Sequence, residues 1–130
     1  MKGLDGKVAL VTGGGKGIGR AIALALAAKG VRVVITGREE KALGETVGEI
    51  AYGGGKARHL AGDVRDPAHL EAAVAKAVEV FGGLDIAIAN AGQSGRVDLG
   101  DGDLARAEAI IGTNLIGAYY TFHAAVPKMK

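Results

Sequence analysis

Glycines are concentrated in the segment Thr12–Gly19, whose sequence TGGGKGIG directly follows the apolar run Lys7–Thr12. Backbone N–H groups in such a loop, together with the positive end of a following helix, bind the oxygens of phosphate groups. Glycine permits the tight turn and has no Cβ to hold a pyrophosphate away from the backbone. Because the segment lies between a buried strand and an amphipathic helix, it predicts a dinucleotide site, with a purely structural turn as the alternative.

The elements that position this loop are short apolar runs alternating with helical patterns, an order typical of α/β proteins. Strands are predicted at four runs, Lys7–Thr12, Val31–Ile35, Lys56–Ala61 and Leu84–Ala89. Helical periodicity follows each run; Asp66 and Pro67 suit the start of the third helix, and Gly82 suits its end. We expect a three-layer, Rossmann-like, doubly wound parallel sheet with strand order 3-2-1-4, truncated after its fourth strand and helix. The first two helices should cover one face and the last two the other.

The composition is that of one globular domain spanning residues 1–130, with 48% hydrophobic and 23% charged residues. A net charge of +2 is too small and too dispersed to indicate a nucleic-acid or membrane partner. Cysteine is absent, which excludes disulfides, thiolate catalysis and cysteine-ligated zinc. The sequence also shows no signal peptide, no apolar stretch as long as a membrane span and no histidine pair at ligand spacing. We therefore expect a cytoplasmic protein without a metal site.

The glycine segment has the form T-G-x-x-x-G-I-G, and three further segments accompany it along the chain: Asp63-Val64, Asn90-Ala91-Gly92 and Thr113-Asn114-Leu115. This set resembles the short-chain dehydrogenase/reductase family, in its classical branch, over essentially the whole chain. The resemblance implies that these residues contact a nicotinamide dinucleotide: Thr12, Gly13, Gly15, Lys16, Gly17, Ile18, Gly19, Asp63, Val64, Asn90, Ala91 and Gly92. It implies adenine contact at Asp63-Val64, and it assigns Asn114 as the helix asparagine of the catalytic machinery.

Each of the last three segments also has a local explanation. Asn90 could end a strand while its side-chain amide forms hydrogen bonds with a neighbouring loop, and Asp63 could be a turn residue. Asn114 is a poor helix former, so its place inside a helix requires a reason such as a buried hydrogen bond or a held water. The residues alone leave both kinds of explanation open.

The end of the second predicted strand indicates which dinucleotide binds. Sites for NAD commonly place a carboxylate there for the ribose hydroxyls, but this strand ends in Thr36-Gly37-Arg38. A guanidinium can hold a phosphate with two hydrogen bonds, and the resemblance implies that basic residues at Arg38 and Lys16 accompany NADP. We expect both cations to converge on the adenosine 2′-phosphate, so NADP(H) is favoured over NAD(H). The alternative is two solvated surface cations. Glu39 and Glu40 are interpreted as first-turn helix residues that point away.

Relatives of the implied family carry a serine on a fifth strand and a Tyr-x-x-x-Lys on the next helix, where tyrosine is the acid/base group. The printed sequence has this spacing at Tyr52 and Lys56, which we place in the loop before the third strand and therefore outside any catalytic pair. Ser94, in the polar loop Gln93–Gly102, is interpreted as a loop residue. Of the histidines, His69 is expected to be exposed on a helix, and His123 to lie beside the final apolar stripe.

Three functional hypotheses follow. The chain could be an NADP-binding module that transfers no hydride on its own. It could instead be part of an oxidoreductase, acting between NADP(H) and an alcohol or carbonyl substrate, that is completed by residues from a second chain or a C-terminal half. A structural or oligomerising scaffold that retains the glycine loop is a third hypothesis, but it requires neither Arg38 nor Lys16.

Self-association is predicted from two apolar surfaces. The fourth strand, Leu84–Ala89, has the apolar composition of a central strand, yet no fifth strand follows to cover its edge. The final helix carries an apolar stripe, Leu104, Ile111, Leu115, Ala118 and Phe122, that exceeds what half a sheet can cover. The resemblance implies oligomerisation through the helix at Asp103–Val126. We expect a homo-oligomer through this helix, the strand edge, or both.

Overall fold

The computed structural model describes residues 3–91 and 104–129 of the chain. Gly92, Ser94 and the remainder of the loop Gln93–Gly102 lie outside the described residues, so the predictions for them stay predictions. In the described part, strands and helices alternate, and a π-helical segment interrupts the last helical region. The elements are β1 (Val8–Thr12), α1 (Gly17–Ala28), β2 (Arg32–Gly37), α2 (Glu40–Tyr52), β3 (Ala57–Ala61), α3 (Pro67–Phe81), β4 (Ile86–Ile88), α4 (Leu104–Ile111), the π-helical segment (Gly112–Ile116), α5 (Gly117–Ala125) and a 3₁₀ turn (Val126–Lys128).

The four strands form one parallel sheet in the order β3-β2-β1-β4, which confirms the predicted Rossmann-like topology. In the register, Leu10 lies between Val34 of β2 and Ala87 of β4. The order reverses at β1, because the chain moves outward to β2 and β3 and then returns to the other side for β4. In sheets of this kind, ligands bind beyond the carboxyl ends of the strands at the point of reversal. That point is where the glycine segment leaves β1.

The two faces of the sheet bury separate apolar clusters, since successive side chains of a strand point to opposite faces. Ala9 and Val11 of β1 pack in the cluster that includes residues of α1 and α2. Val8 and Leu10 pack in the other cluster, with residues of α3 and with Ala125 of α5. Helices therefore cover both faces as expected, and this explains the nearly continuous apolar sequences of β1 and β2.

The ends of α3 follow from local chemistry. The Asp66 side chain accepts a hydrogen bond from the Ala68 backbone N–H at 3.1 Å, and Pro67 occupies the first helical position. Gly82 ends the helix with a φ of 87°, which glycine adopts without steric cost. Both ends of α3 were therefore predicted correctly from the sequence. The strand ends differ from prediction by one or two residues, and β4 is shorter than the predicted Leu84–Ala89.

The final helical region corrects one expectation, because it is not a single regular helix. It passes from α4 through the π-helical segment into α5, and small residues, Gly117, Thr121 and Ala125, are the buried ones in α5. A side chain at Gly117 would overlap the Val64 side chain, so the helix approaches this close only with small residues inside. The predicted stripe is mostly the outward face: Leu104, Ile111, Leu115 and Phe122 are exposed.

Within residues 3–91 and 104–129, no helix has the length and apolar character needed to cross a membrane. The longest helix, α3, has 15 residues and is amphipathic, with Leu70, Ala73, Val74 and Ala77 buried. These four apolar residues belong to the core of the protein, whereas Val78 and Val80 of the same helix are exposed.

Candidate cofactor-binding site

A cavity of about 410 Å³ lies where the carboxyl ends of the strands meet the glycine segment. This volume falls within the usual range for small-molecule sites. Fifteen residues line it: Gly13, Gly15, Lys16, Ile18, Gly37, Arg38, Glu39, Ala42, Leu43, Gly62, Asp63, Val64, Asn90, Ala91 and Thr113. They come from the glycine loop, from the first turns of α1 and α2, from the carboxyl-terminal sides of β2, β3 and β4, and from the π-helical segment. The cavity therefore occupies the position at which an open α/β sheet binds ligands.

The glycine loop approaches its neighbours so closely that side chains are excluded. Gly13 has a φ of 69°, and a Cβ there would lie 2.9 Å from the Ala91 Cα. A Cβ at Gly19 would overlap the Gly13 carbonyl oxygen and the Asn90 side chain. Gly19 is thus required for the close contact within the loop and with Asn90. The N-terminus of α1 begins at Gly17, where free N–H groups and the helix dipole favour an anion.

Thr12 holds this loop to the segment after β4. Its hydroxyl accepts hydrogen bonds from the backbone N–H groups of Asn90 at 3.0 Å and Ala91 at 2.9 Å. It donates a longer bond of 3.4 Å to the Ile88 carbonyl. With 1% of its surface exposed, Thr12 does not line the cavity. It lies behind the cavity and connects the glycine loop to the segment after β4. The Asn90 side chain adds a bond of 3.5 Å to the Gly13 carbonyl, so the local explanation of Asn90 holds in part.

Two basic residues and one acidic residue lie at the β2 end of the cavity. Lys16 and Arg38 both line it. Glu39 also lines it, and its Oε1 lies 2.7 Å from Lys16 Nζ, so the expectation that Glu39 points away is wrong. Glu40 does point away, and its carboxylate lies 2.7 Å from His59 Nε2. The physical reason is that Glu39 precedes α2 with extended backbone angles, which direct its side chain differently from one in the helical turn.

Asp63 lies at the β3 end of the cavity and is held by Arg65. One carboxylate oxygen accepts the Arg65 backbone N–H at 2.9 Å, and the other accepts its guanidinium at 3.1 Å. Burial raises the pKa of Asp63, but the hydrogen bonds and charge of Arg65 and the charge of Arg38 outweigh burial. The pKa therefore lies below its ordinary value of 3.8, and Asp63 is ionised at neutral pH. Asp63 is thus both a turn residue and a charged group at the cavity wall.

His69 is buried, which corrects the expectation of an exposed helix residue. Its ring packs against Gly62 so closely that a Cβ at Gly62 would overlap it. Burial lowers the pKa of His69 below its ordinary value of 6.5, and the nearby charges of Asp66 and Asp63 partly offset this effect. Its Nε2 has no hydrogen-bond partner within the part of the chain described here. His69 thus supports the backbone segment that forms the β3 side of the cavity.

Most of the residues that the sequence assigned to a cofactor surround this one cavity. Nine line it: Gly13, Gly15, Lys16, Ile18, Arg38, Asp63, Val64, Asn90 and Ala91. Thr12, Gly17 and Gly19 support the loop without lining it, and Gly92 lies outside the described residues. Asn114 lies in the π-helical segment and does not line the cavity, whereas its neighbour Thr113 does. Thr113 and Glu39 were missed because no sequence pattern reports a π-helical turn or the direction of an exposed side chain.

The Tyr52–Lys56 pair lies away from this cavity. Tyr52 is the last residue of α2 rather than a loop residue, and 96% of its surface is exposed. Lys56 lines a different depression, formed with Asp5 and Gly30 at the opposite ends of the strands. The two residues therefore do not contribute to the chemistry of the candidate site.

Comparisons with known proteins agree with this geometry. A sequence profile of the family described as short chain dehydrogenase matches residues 7–130. Cyclohexanol dehydrogenase of Acinetobacter sp. is 39% identical over 124 residues, which cover 95% of this chain and 49% of the relative. Hydroxysteroid dehydrogenase-like protein 2 of Rattus norvegicus is 38% identical over 134 residues, covering 98% of this chain and 26% of the relative.

A similar fold is found among solved structures. The crystal structure of a short-chain type dehydrogenase/reductase from Mycobacterium marinum matches with a TM-score of 0.92 and 37% identity. The match covers 96% of this chain and 51% of that chain. This chain thus spans about half, or less, of the length of these relatives. Its sequence, its fold and its cavity lead to one conclusion: the chain belongs to the short-chain dehydrogenase family.

Proposed function

We propose that this chain is the NADP(H)-binding portion of an oxidoreductase that transfers hydride between NADP(H) and an alcohol or carbonyl substrate. In this proposal, residues 1–130 form one cofactor-binding domain without the catalytic half. The supporting observation is the cavity that joins the glycine loop, which includes Lys16, to a second basic residue, Arg38.

The residues fit such a cofactor, because a Cβ at Gly17, the first residue of α1, would meet no other atom and the space beside this helix end is open. The N–H groups at the start of α1 would hold the pyrophosphate, and Ile18, exposed at the cavity edge, would cover it. Asp63 and Val64 would contact the adenine, and Asn90 would lie beside the nicotinamide half. Arg38 would hold the 2′-phosphate with two hydrogen bonds, assisted by Lys16. When bound, the cofactor supplies or accepts the hydride.

We further propose that the chain alone does not catalyse hydride transfer. Its Tyr-x-x-x-Lys spacing, at Tyr52 and Lys56, lies away from the cavity. The proposed role of Asn114 is also indirect, because Thr113 rather than Asn114 lines the cavity. We therefore infer that the acid/base group comes from residues other than these.

Calorimetric titration with NADP⁺ and NAD⁺ tests the cofactor assignment. We expect the chain to bind NADP⁺ more tightly than NAD⁺. Hydrogen bonds to charged groups contribute about 1.5–3 kcal/mol, so Arg38→Ala should weaken NADP⁺ binding at least about tenfold. The same variant should change NAD⁺ binding little. Tighter binding of NAD⁺ by the unmodified chain would refute the assignment of NADP(H).

The alternative is a non-catalytic or purely structural Rossmann module. It is favoured by the hydrogen bonds from the backbone N–H groups of Asn90 and Ala91 to the Thr12 hydroxyl, which give these residues a structural role in holding the loop. A folded sample that binds neither dinucleotide would support the structural module. A sample that binds NADP⁺, but restores no activity when combined with a C-terminal half from a relative, would support the non-catalytic module.

We also propose that the chain forms a homo-oligomer through the outward face of its last helical region. Leu115 is 67% exposed, and Ile111, Tyr119 and Phe122 are exposed beside it. The β4 edge is a weaker candidate, because Leu84 beside it is fully buried and bridges to Met129. Leu115→Lys should shift the protein to monomer in light scattering at micromolar concentration, whereas Tyr52→Lys, at an exposed position elsewhere, should not. A monomeric unmodified chain would refute the proposal.

A further inference from the structure

The ion pair between Lys16 and Glu39 occupies the end of the cavity to which the 2′-phosphate is assigned. Lys16 Nζ lies 2.7 Å from Glu39 Oε1, and both side chains line the cavity together with Arg38. The two side chains are 69% and 63% exposed, so the pair forms in contact with solvent. One of the two cations in the proposed phosphate site therefore already carries an anionic partner from the chain itself.

The position of Glu39 shows that its carboxylate is not used by the helix that it precedes. Glu39 is the N-cap residue of α2, where a side-chain oxygen commonly accepts a hydrogen bond from the first turn. Its side chain makes no such bond, and only its backbone carbonyl takes part, accepting the Leu43 N–H at 3.1 Å. The carboxylate is thus directed towards the cavity, where it meets Lys16.

The second cation has no acidic partner of this kind. Within residues 3–91 and 104–129, Arg38 forms no ion pair at contact distance, although its charge acts on Asp63. Arg38 is therefore available to an incoming phosphate. Lys16 must instead bind the phosphate alongside the Glu39 carboxylate or break its ion pair with Glu39. The two basic residues, which look equivalent in the sequence, are not equivalent in the structure.

We propose that Glu39 is a specificity-determining residue that weakens binding of the 2′-phosphorylated dinucleotide by competing for Lys16. The inference rests on the proposed function, since it concerns the same phosphate site. A phosphate that reaches Lys16 displaces the carboxylate, or else lies beside it at close range with charge of the same sign. Either event costs binding free energy that NAD⁺, which lacks the phosphate, does not lose. Glu39 thus reduces the difference in affinity between NADP⁺ and NAD⁺ that Arg38 produces.

The size of the effect follows from the exposure of the pair. Exposed ion pairs contribute little, so removal of the competitor should tighten NADP⁺ binding by about two- to fivefold. The gain should shrink as salt is raised, because exposed charges are screened over about 10 Å at moderate ionic strength. Loss of Arg38 should have a larger effect, since a guanidinium can hold a phosphate through two hydrogen bonds.

Glu39→Gln tests the inference, with Glu40→Gln as the matched control. Both substitutions remove one negative charge at adjacent positions, but Glu40 contacts His59 and does not line the cavity. Calorimetric titration with NADP⁺ and NAD⁺ should show tighter NADP⁺ binding for Glu39→Gln, with NAD⁺ changed less than about twofold. Glu40→Gln should change neither. In a Lys16→Gln background, the gain from Glu39→Gln should largely disappear.

The outcomes separate this inference from the proposed function. If the unmodified chain prefers NADP⁺ and Glu39→Gln leaves that affinity unchanged, Glu39 does not compete and the inference alone is overturned. If Glu39→Gln weakens NAD⁺ binding instead, the carboxylate serves the ribose hydroxyls and the inference is also overturned. If the unmodified chain binds neither dinucleotide, the proposed function and the inference both fail.

Discussion

Replacement of Thr12 by valine removes the hydroxyl that joins the glycine loop to the segment after β4. Valine has nearly the same shape as threonine, so the buried side chain leaves no cavity and the change isolates the hydrogen bonds. The backbone N–H groups of Asn90 and Ala91 lose an acceptor that lies 3.0 Å and 2.9 Å away. The Ile88 carbonyl also loses a donor, but at 3.4 Å this bond is long and contributes less.

The expected loss of stability can be estimated from these bonds. A buried polar group left without a partner costs about 1–3 kcal/mol. Asn90 and Ala91 are half-buried, so water reaches them in part and the lower end of this range applies. We expect Thr12→Val to lower the free energy of unfolding by about 2 kcal/mol, which leaves the protein folded. The glycine loop should also lose its fixed position, so binding of NADP⁺ should weaken.

Urea unfolding followed by circular dichroism measures this loss, with Thr12→Ser as the control. Serine keeps the hydroxyl and removes one methyl group, which costs about 0.8 kcal/mol. The midpoint for Thr12→Val should fall by about 1 M, because a small protein has a slope of about 1–3 kcal/mol per molar urea. If the valine variant is as stable as the serine variant, the hydroxyl does not clamp the two segments and the reasoning is refuted.

Two further predictions concern the described residues around the site. Gly19→Ala should destabilise the fold by about 1–3 kcal/mol, because its Cβ would overlap Gly13 and Asn90. Gly48→Ala, on an open face of α2, should stabilise the fold by about 0.5–1 kcal/mol. If urea unfolding shows the same change in stability for both alanine variants, the packing argument is refuted. Burial lowers the folded-state pKa of His69, so the neutral side chain makes its full contribution to the free energy of unfolding above pH 6.5. This contribution is lost as the pH falls through the folded-state pKa. The urea midpoint of the unmodified protein should fall as the pH is lowered through this range, and His69→Leu should remove this pH dependence. Identical pH profiles for the two proteins would contradict the prediction.

Much of the fold could be predicted because several signals agreed at the same positions. The alternation of apolar runs with helical periods predicted the strand order, and Asp66, Pro67 and Gly82 each marked a helix end correctly. The last helical region was predicted less well. A stripe of large apolar residues normally marks the buried face, but here the helix lies so close to Val64 that small residues must face inward. That distance depends on tertiary packing, which the sequence of the helix does not report.

The structure brings together most of the residues that the sequence assigned to a site. Motif residues that act through backbone position, such as Gly13 and Asn90, converged on the cavity because the order of the strands places them there. Glu39 and His69 were wrongly placed, since the direction of a single side chain depends on contacts between elements distant in sequence. The cytoplasmic location and the loop Gln93–Gly102 stay predictions.

Hydrogen exchange of the backbone amides, with and without NADP⁺, tests most directly whether the cavity at the strand ends is the dinucleotide site. We predict that NADP⁺ slows exchange in three segments that contribute residues to the lining: residues 13–19, 37–39 and 62–64. NAD⁺ at the same concentration should protect these segments less, most clearly near Arg38. Protection confined to the groove between α3 and α5, which Val74 and Phe122 line, or protection nowhere, would contradict this assignment.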